Sequence, residues 1–267
     1  LQNLLRQADR GGIDFSDAKR YAFLAERRTR ADIGPCALIR TFLLEEPTVK
    51  METKSAIAFL TLALLAFCGL GLEIALAFGI EPVIYGVEMR DWSSFQNILH
   101  WVFTCVIWTI VIVALIIFSN RKLKFDPFKK ERSSMTWQWM VSLLIVIIML
   151  GISYWDWKGF KVLKEFKYHG MPRFVFQYLY YIVETGLVYL MIAFSQKAGE
   201  LLFKVKRIPY GGIFTALTWG LVHILTKGDV LIGLLCLLSS ILFGVIYLLM
   251  GKDARKAFPL ILIAFVF

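Results

Sequence analysis

Charge is scarce in this sequence. Asp, Glu, Lys and Arg make up 19% of the 267 residues, while 58% are apolar. A globular domain carries roughly 25% charged and 45–50% apolar residues, so a soluble single-core protein is excluded. Cysteine is scarce too. Of Cys36, Cys68, Cys105 and Cys236, three fall inside apolar runs and none shows paired spacing. A thiol in such a run behaves as a small hydrophobe, which argues against a disulfide framework and a structural zinc site. No cleavable signal peptide precedes the first apolar run. The stretch after Met51 opens with Lys54 but stays apolar for too long to be a signal core. Also missing is a stripe of cations interleaved with aromatics, the footprint of a nucleic-acid site. The net charge of +10 instead flanks apolar runs and predicts membrane lipid, not nucleic acid, as the partner.

The apolar residues fall into blocks of about 16 to 25, the length a helix needs to cross roughly 30 Å of hydrocarbon. They are Ser55–Gly79, Ile98–Phe118, Thr136–Tyr154, Pro172–Phe194, Tyr210–Leu225, Val230–Met250 and the shorter Ala257–Phe267. The expected fold class is therefore all-α, a polytopic transmembrane bundle of about seven helices. Both ends read as cut ends of a reading frame, since the chain opens on Leu1 and stops in an apolar run.

Three regions are expected. Residues 1–50 are rich in Arg and Ala, with a helical stretch over Asp14–Glu26; they are either a basic extension or sequence upstream of a native start at Met51. Residues 51–171 hold three accessory spans, and residues 172–267 hold the last four. Lys and Arg in short loops favour the cytoplasm. The second loop carries Arg121, Lys122, Lys124, Lys129, Lys130 and Arg132, and the fourth and sixth carry Lys197, Lys204, Lys206, Arg207, Lys252, Arg255 and Lys256. The first loop has Arg90 beside Glu81, Glu88 and Asp91. This predicts an N-terminus inside, in a bacterial cytoplasmic membrane. The third loop dissents with Lys158, Lys161, Lys164 and Lys167, and its Trp155, Trp157, Phe160 and Phe166 predict an interfacial helix.

An ionisable side chain inside a bilayer costs roughly 2.5–3.5 kcal/mol on insertion scales, so each one is a functional candidate. Glu73 near the outer end of span one is expected to snorkel, and His100 beside Trp101 to be a satisfied interfacial histidine. Glu184 and His223 differ, because each sits in the middle of its span. Spans four and five are consecutive and antiparallel, and both groups lie roughly 15–20 Å from the same side at 1.5 Å per residue. A carboxylate and an imidazole level with each other have the parts for acid–base work on a water. They could equally form a couple that only ties two helices together. Small residues on span five (Gly212, Thr215, Gly220) and span six (Gly233, Ser240, Gly244) predict close packing of that hairpin.

Over residues 172–267 the chain resembles the CAAX-protease and bacteriocin-processing (CPBP, or Abi) intramembrane proteases. That family carries Glu-Glu-xxx-Arg on one helix, Phe-xxx-His on the next and His-xxx-Asn or His-xxx-Asp on a later one. Trp219-Gly-Leu-Val-His223 is similar to the second motif, and Glu184 matches the second Glu of the first. The resemblance implies a peptide hydrolase in which Glu184 is the general base, His223 orients the water or stabilises the oxyanion, and Trp219 supports them. It also implies a membrane-embedded or peptide substrate. The departures are Val183 for the first Glu, Val188 for the Arg, and Ile263 or Ala264 near the final His. These imply a weakened or silent site. Members of the family are associated with a divalent metal, but one Glu and one His fall short of the three protein ligands of catalytic zinc, so the cofactor stays open and no metal ligand is assigned. Gly199-Glu200-Leu-Leu-Phe-Lys204 is closer to the first motif by letters, but is set aside because Glu200 is expected in the cytosolic linker Gln196–Pro209. The alternative is a non-catalytic immunity or regulatory protein that keeps the fold. A transporter would call for inverted repeats, and none is found.

Overall fold

The computed structural model describes the backbone from Pro35 and the side chains from Glu52 to Phe267, so the expected Asp14–Glu26 helix lies outside the described residues. The chain divides into two units, Leu1–Glu52 and Thr53–Phe267. In the first, the described backbone is helical from Pro35.

Among the described residues there are helices and loops but no strand. Helix α1 (Pro35–Ala75) passes through a π turn (Leu76–Ile80) into α2 (Glu81–Tyr85). After a 3-10 turn at Met89–Asp91 come α3 (Ser94–Lys122), α4 (Thr136–Asp156) and α5 (Lys161–Phe203). A broken helix follows, made of α6 (Tyr210–Thr215), a second π turn (Ala216–Gly220) and α7 (Leu221–Lys227). The chain then forms α8 (Val230–Leu249) and α9 (Ala254–Val266).

Five of these seven rods are long and apolar enough to cross a membrane: Glu52–Tyr85, Ser94–Lys122, Thr136–Asp156, Lys161–Phe203 and Val230–Leu249. Two of the expected spans are shorter in effect. The fifth is interrupted by its π turn, and α9 has 13 residues, about 20 Å at 1.5 Å per residue. The outward faces are apolar: Leu144, Ile147 and Ile148 on α4, and Ile110 and Ile117 on α3, are 45–64% exposed. In water such faces would be association sites; in hydrocarbon they match their solvent.

Local signals explain the boundaries. Ser93 and Gln96 form a capping box at α3, with Gln96 N–H donating to Ser93 Oγ and Ser93 N–H to Gln96 Oε1. Asp229 and Asp253 cap α8 and α9 through their carboxylates. Gly170, at φ +70° and ψ 169°, breaks α5 just before Pro172. The segment before this break, from Lys161, is helical, as anticipated for the third loop. It folds back so that Glu165 accepts hydrogen bonds from Tyr178 (2.9 Å) and Tyr181 (2.8 Å).

The second half of α5 is the central strut. Leu187 through Phe194 are all at most 1% exposed, as expected of a helix apolar all round. α3, α6, α8 and α9 pack against it. The α6–α7 rod meets α8 through the small residues noted in the sequence. A Cβ on Gly244 would stand 2.5 Å from Gly212 N and Cα, so the two backbones touch.

The basic loops share one face. Backbone N–H groups of Glu131 and Arg132 donate to Gly251 O, and Lys252 Nζ lies 2.7 Å from Glu131 and 2.6 Å from Glu200. Glu200 is thus not in a linker. It lies within α5, which runs nine residues beyond the expected end at Phe194, and it is buried against Lys252 and Gln196. Burial pushes the Glu131 carboxyl up, but Lys252, Lys197 and Lys206 outweigh this and hold it below its ordinary value.

Candidate functional site

The depth of the site is set by one polar contact. Gln196 Oε1, buried on α5, accepts from the N–H of Gly211 at the start of the next rod (3.1 Å). Twelve residues back from Gln196 is Glu184, and twelve forward from Gly211 is His223. Because the helices are antiparallel, this brings the two groups to about the same level.

They meet through Trp219 rather than directly. Trp219 Nε1–H donates to Glu184 Oε1 at 3.3 Å. The Trp219 carbonyl lies 2.7 Å from His223 Nδ1. A carbonyl can only accept, so Nδ1 carries the proton and Nε2 is left as the second nitrogen. The Trp219 and His223 rings are 4.2 Å apart. The π turn Ala216–Gly220 contains Trp219, and such turns recur at functional sites. Because its backbone bonds run i→i+5, it gives this stretch of the rod its own register, in which one residue serves both partners.

Glu184 and His223 are each half-buried. Among the described residues no hydrogen bond joins them, and neither Glu184 Oε2 nor His223 Nε2 has a protein partner. The site therefore presents one carboxylate oxygen and one imidazole nitrogen, both oriented from behind. From α9 the residue that reaches it is Phe265, 5.4 Å from the Trp219 ring; Ile263 is 40% exposed instead. Among the described residues no three His, Cys, Asp or Glu side chains are arranged so that they could hold a metal ion. Glu184 and His223 alone fall short of the three protein ligands of a catalytic zinc.

A second ionisable cluster was missed in part by reading the sequence. His100, expected to be satisfied at an interface, is satisfied, but by two carboxylates in a buried position (2% exposed). Glu73 is bonded to His100 and Tyr180 rather than snorkelling free. Glu81, assigned to the first loop, is 1% exposed on a helix. The error arose at the π turn, which carries the helix past Gly79. The signal present in the sequence was two acids near the outer end of one span and a histidine at the same end of the next.

No protein-family model, no curated protein and no solved structure matches the chain. The functional reading rests on the residues and their geometry.

Proposed function

We propose that this chain is an integral membrane protein of the CAAX-protease and bacteriocin-processing type, with all seven helical rods in the bilayer and a slow peptide-hydrolase site at Glu184 and His223. The observation that carries this is Trp219: one residue orients both the acid and the imidazole, leaving the reactive atom of each free.

In this reading a water sits between Glu184 Oε2 and His223 Nε2. Glu184 takes a proton from the water as its oxygen adds to a peptide carbonyl carbon. His223, its Nδ1–H committed to the Trp219 carbonyl, orients that water by accepting one of its O–H groups at the Nε2 lone pair. The proton held by Glu184 then passes to the leaving amine as the C–N bond breaks. Val183 and Val188 supply neither a second carboxylate nor a guanidinium, so the turnover is expected to be low. The substrate is a peptide that can enter the bilayer from its edge. The basic loops face the cytoplasm, and the membrane is a bacterial cytoplasmic one.

A second reading, a non-catalytic membrane protein that keeps the protease fold and binds a peptide or partner, is favoured by one feature. Glu184 and His223 share no direct hydrogen bond, and α9 offers Phe265 where a base would be needed. The two readings separate in proteoliposomes with a library of fluorogenic peptides. Cleavage lost in both Glu184→Gln and His223→Ala supports the hydrolase. Cleavage unchanged in both variants, or absent from the unaltered protein, removes it and leaves the binding reading.

A further inference from the structure

A cavity of about 680 Å³ lies where α4, α6 and α8 meet the basic loops. Neither Glu184 nor His223 lines it, nor does any member of the Glu73–His100–Glu81 cluster. Its apolar wall is the end of α8, through Val245, Leu248 and Leu249. Trp137, on the first turn of α4, also lines it and is 54% exposed, a placement typical of an indole at a membrane–water interface. Three loops bring cations to the same cavity: Arg132 from before α4, Lys206 and Arg207 from before α6, and Lys252 from after α8.

The charges around it do not balance. Lys252 is satisfied inside the protein, 2.7 Å from Glu131 and 2.6 Å from Glu200, and that trio carries one negative charge. Against it stand Arg132, Lys206 and Arg207, which leaves an excess of two positive charges. Among the described residues no carboxylate lies within ion-pair distance of Arg132, Lys206 or Arg207.

Arg132 is held in place. Its backbone N–H donates to Gly251 O at 3.3 Å, and its Nη2–H donates to Leu248 O at 3.0 Å, on the last turn of α8. Gly251, at φ +69°, lies so close that a Cβ on it would collide with Arg132 O. The bond to Leu248 occupies one of the five N–H donors of a guanidinium, so donors remain for a ligand. Basic loops at span ends ordinarily do no more than set orientation. Here three cations from two loops converge on a cavity whose other wall is apolar. That combination matches an amphipathic anion, and basic pockets between membrane helices are suited to acidic lipid headgroups.

We propose that this cavity binds one anionic phospholipid from the leaflet on the basic-loop side, with Arg132, Lys206 and Arg207 on its phosphate and an acyl chain along Val245, Leu248 and Leu249. Arg132 is the fixed contact, able to present a planar pair of N–H donors to phosphate oxygens. Lys206 and Arg207 are exposed and close over the headgroup. A zwitterionic headgroup brings its own cation among three others and is disfavoured. The site needs the membrane but no peptide chemistry, so it stands or falls independently of the hydrolase reading.

The test is native mass spectrometry of the full chain in a neutral detergent, titrated with phosphatidylglycerol, with phosphatidylcholine of the same acyl chains, with glycerol phosphate, or with an acidic peptide. One phosphatidylglycerol per chain is expected to bind in preference to the other three. The double variant Lys206→Gln/Arg207→Gln should bind it about 30-fold more weakly, at about 1 kcal/mol for each cation and 1.4 kcal/mol for each factor of ten. Lys129→Gln/Lys130→Gln removes the same charge from residues that do not line the cavity and should cost clearly less. Equal losses in the two double variants would overturn the proposal, because diffuse charge would then account for the binding. No preference for phosphatidylglycerol over phosphatidylcholine in the unaltered protein would overturn it as well, whatever the variants do. Glycerol phosphate or the acidic peptide binding as tightly as the phospholipid would show a site for a soluble anion and contradict the lipid assignment.

Discussion

Replacing Trp219 by Phe removes the indole N–H but keeps an aromatic ring against His223 and Phe265, and it leaves intact the backbone carbonyl that holds His223 Nδ1. A hydrogen bond to a charged group is worth about 1.5–3 kcal/mol. The 3.3 Å separation is at the long edge for N–H···O, which places this one near the lower figure. The smaller ring leaves a void at a position only 9% exposed and forfeits about 1 kcal/mol of packing. Together these give about 2.5 kcal/mol, or a fall in Tm of about 5–10 °C at roughly 2–4 °C per kcal/mol for a chain of this size. A double-mutant cycle separates the parts. Trp219→Phe and Glu184→Leu, alone and combined, are followed by thermal unfolding in one detergent. The expected coupling is about 1.5 kcal/mol, the hydrogen bond alone. Costs that simply add would show that the indole does not hold Glu184, and the orientation of the carboxylate would lose its explanation.

Gly244→Ala drives a Cβ to 2.5 Å from the Gly212 backbone. No side chain there can give way, so a loss of about 2–3 kcal/mol is expected from overpacking, whereas Gly71→Ala, with nothing within 4 Å, should be close to neutral; Tm values of the two variants check this. Lys252→Met leaves Glu200, whose side chain is 4% exposed, without its cation, and a loss of about 3 kcal/mol is expected in the same measurement. Glu131 titrates below its ordinary value of 4.5 in the folded protein. Its contribution to stability is full above that value and is lost as pH falls through the lowered one. The acid limb of a Tm-against-pH curve should therefore flatten in Glu131→Gln. Lys129→Cys and Arg90→Cys should label from opposite sides of the membrane, and labelling from the same side would refute the topology.

Much of the architecture is legible in the sequence because hydrocarbon-length apolar blocks admit few alternatives. The blocks around residues 55–79, 98–118, 136–154, 172–194 and 230–250 all correspond to long helices. The small residues of the α6–α8 hairpin likewise mark a real backbone contact. What escaped was register. A π turn inserts a residue without any letter that announces it, so the helix was ended at Gly79 and Glu81 was assigned to a loop. The same kind of turn gave Trp219 a part that spacing alone did not suggest. The resemblance implied only a supporting role for it, and it is the residue bonded to both Glu184 and His223. Glu200 was misplaced for a related reason: Lys197 and Lys204 suggested a linker where α5 continues, because the cation that satisfies Glu200 comes from a loop 52 residues later. Pairings over such distances leave no local periodicity to read.

The most direct measurement is isotopic. Cleavage of a peptide by the reconstituted protein in heavy-oxygen water should place one heavy oxygen in each new carboxyl end, as read by mass spectrometry, with Tm unchanged and label absent in Glu184→Gln. Label incorporated equally by Glu184→Gln, or no cleavage by the unaltered protein, would contradict the assignment of Glu184 and His223 to activating water.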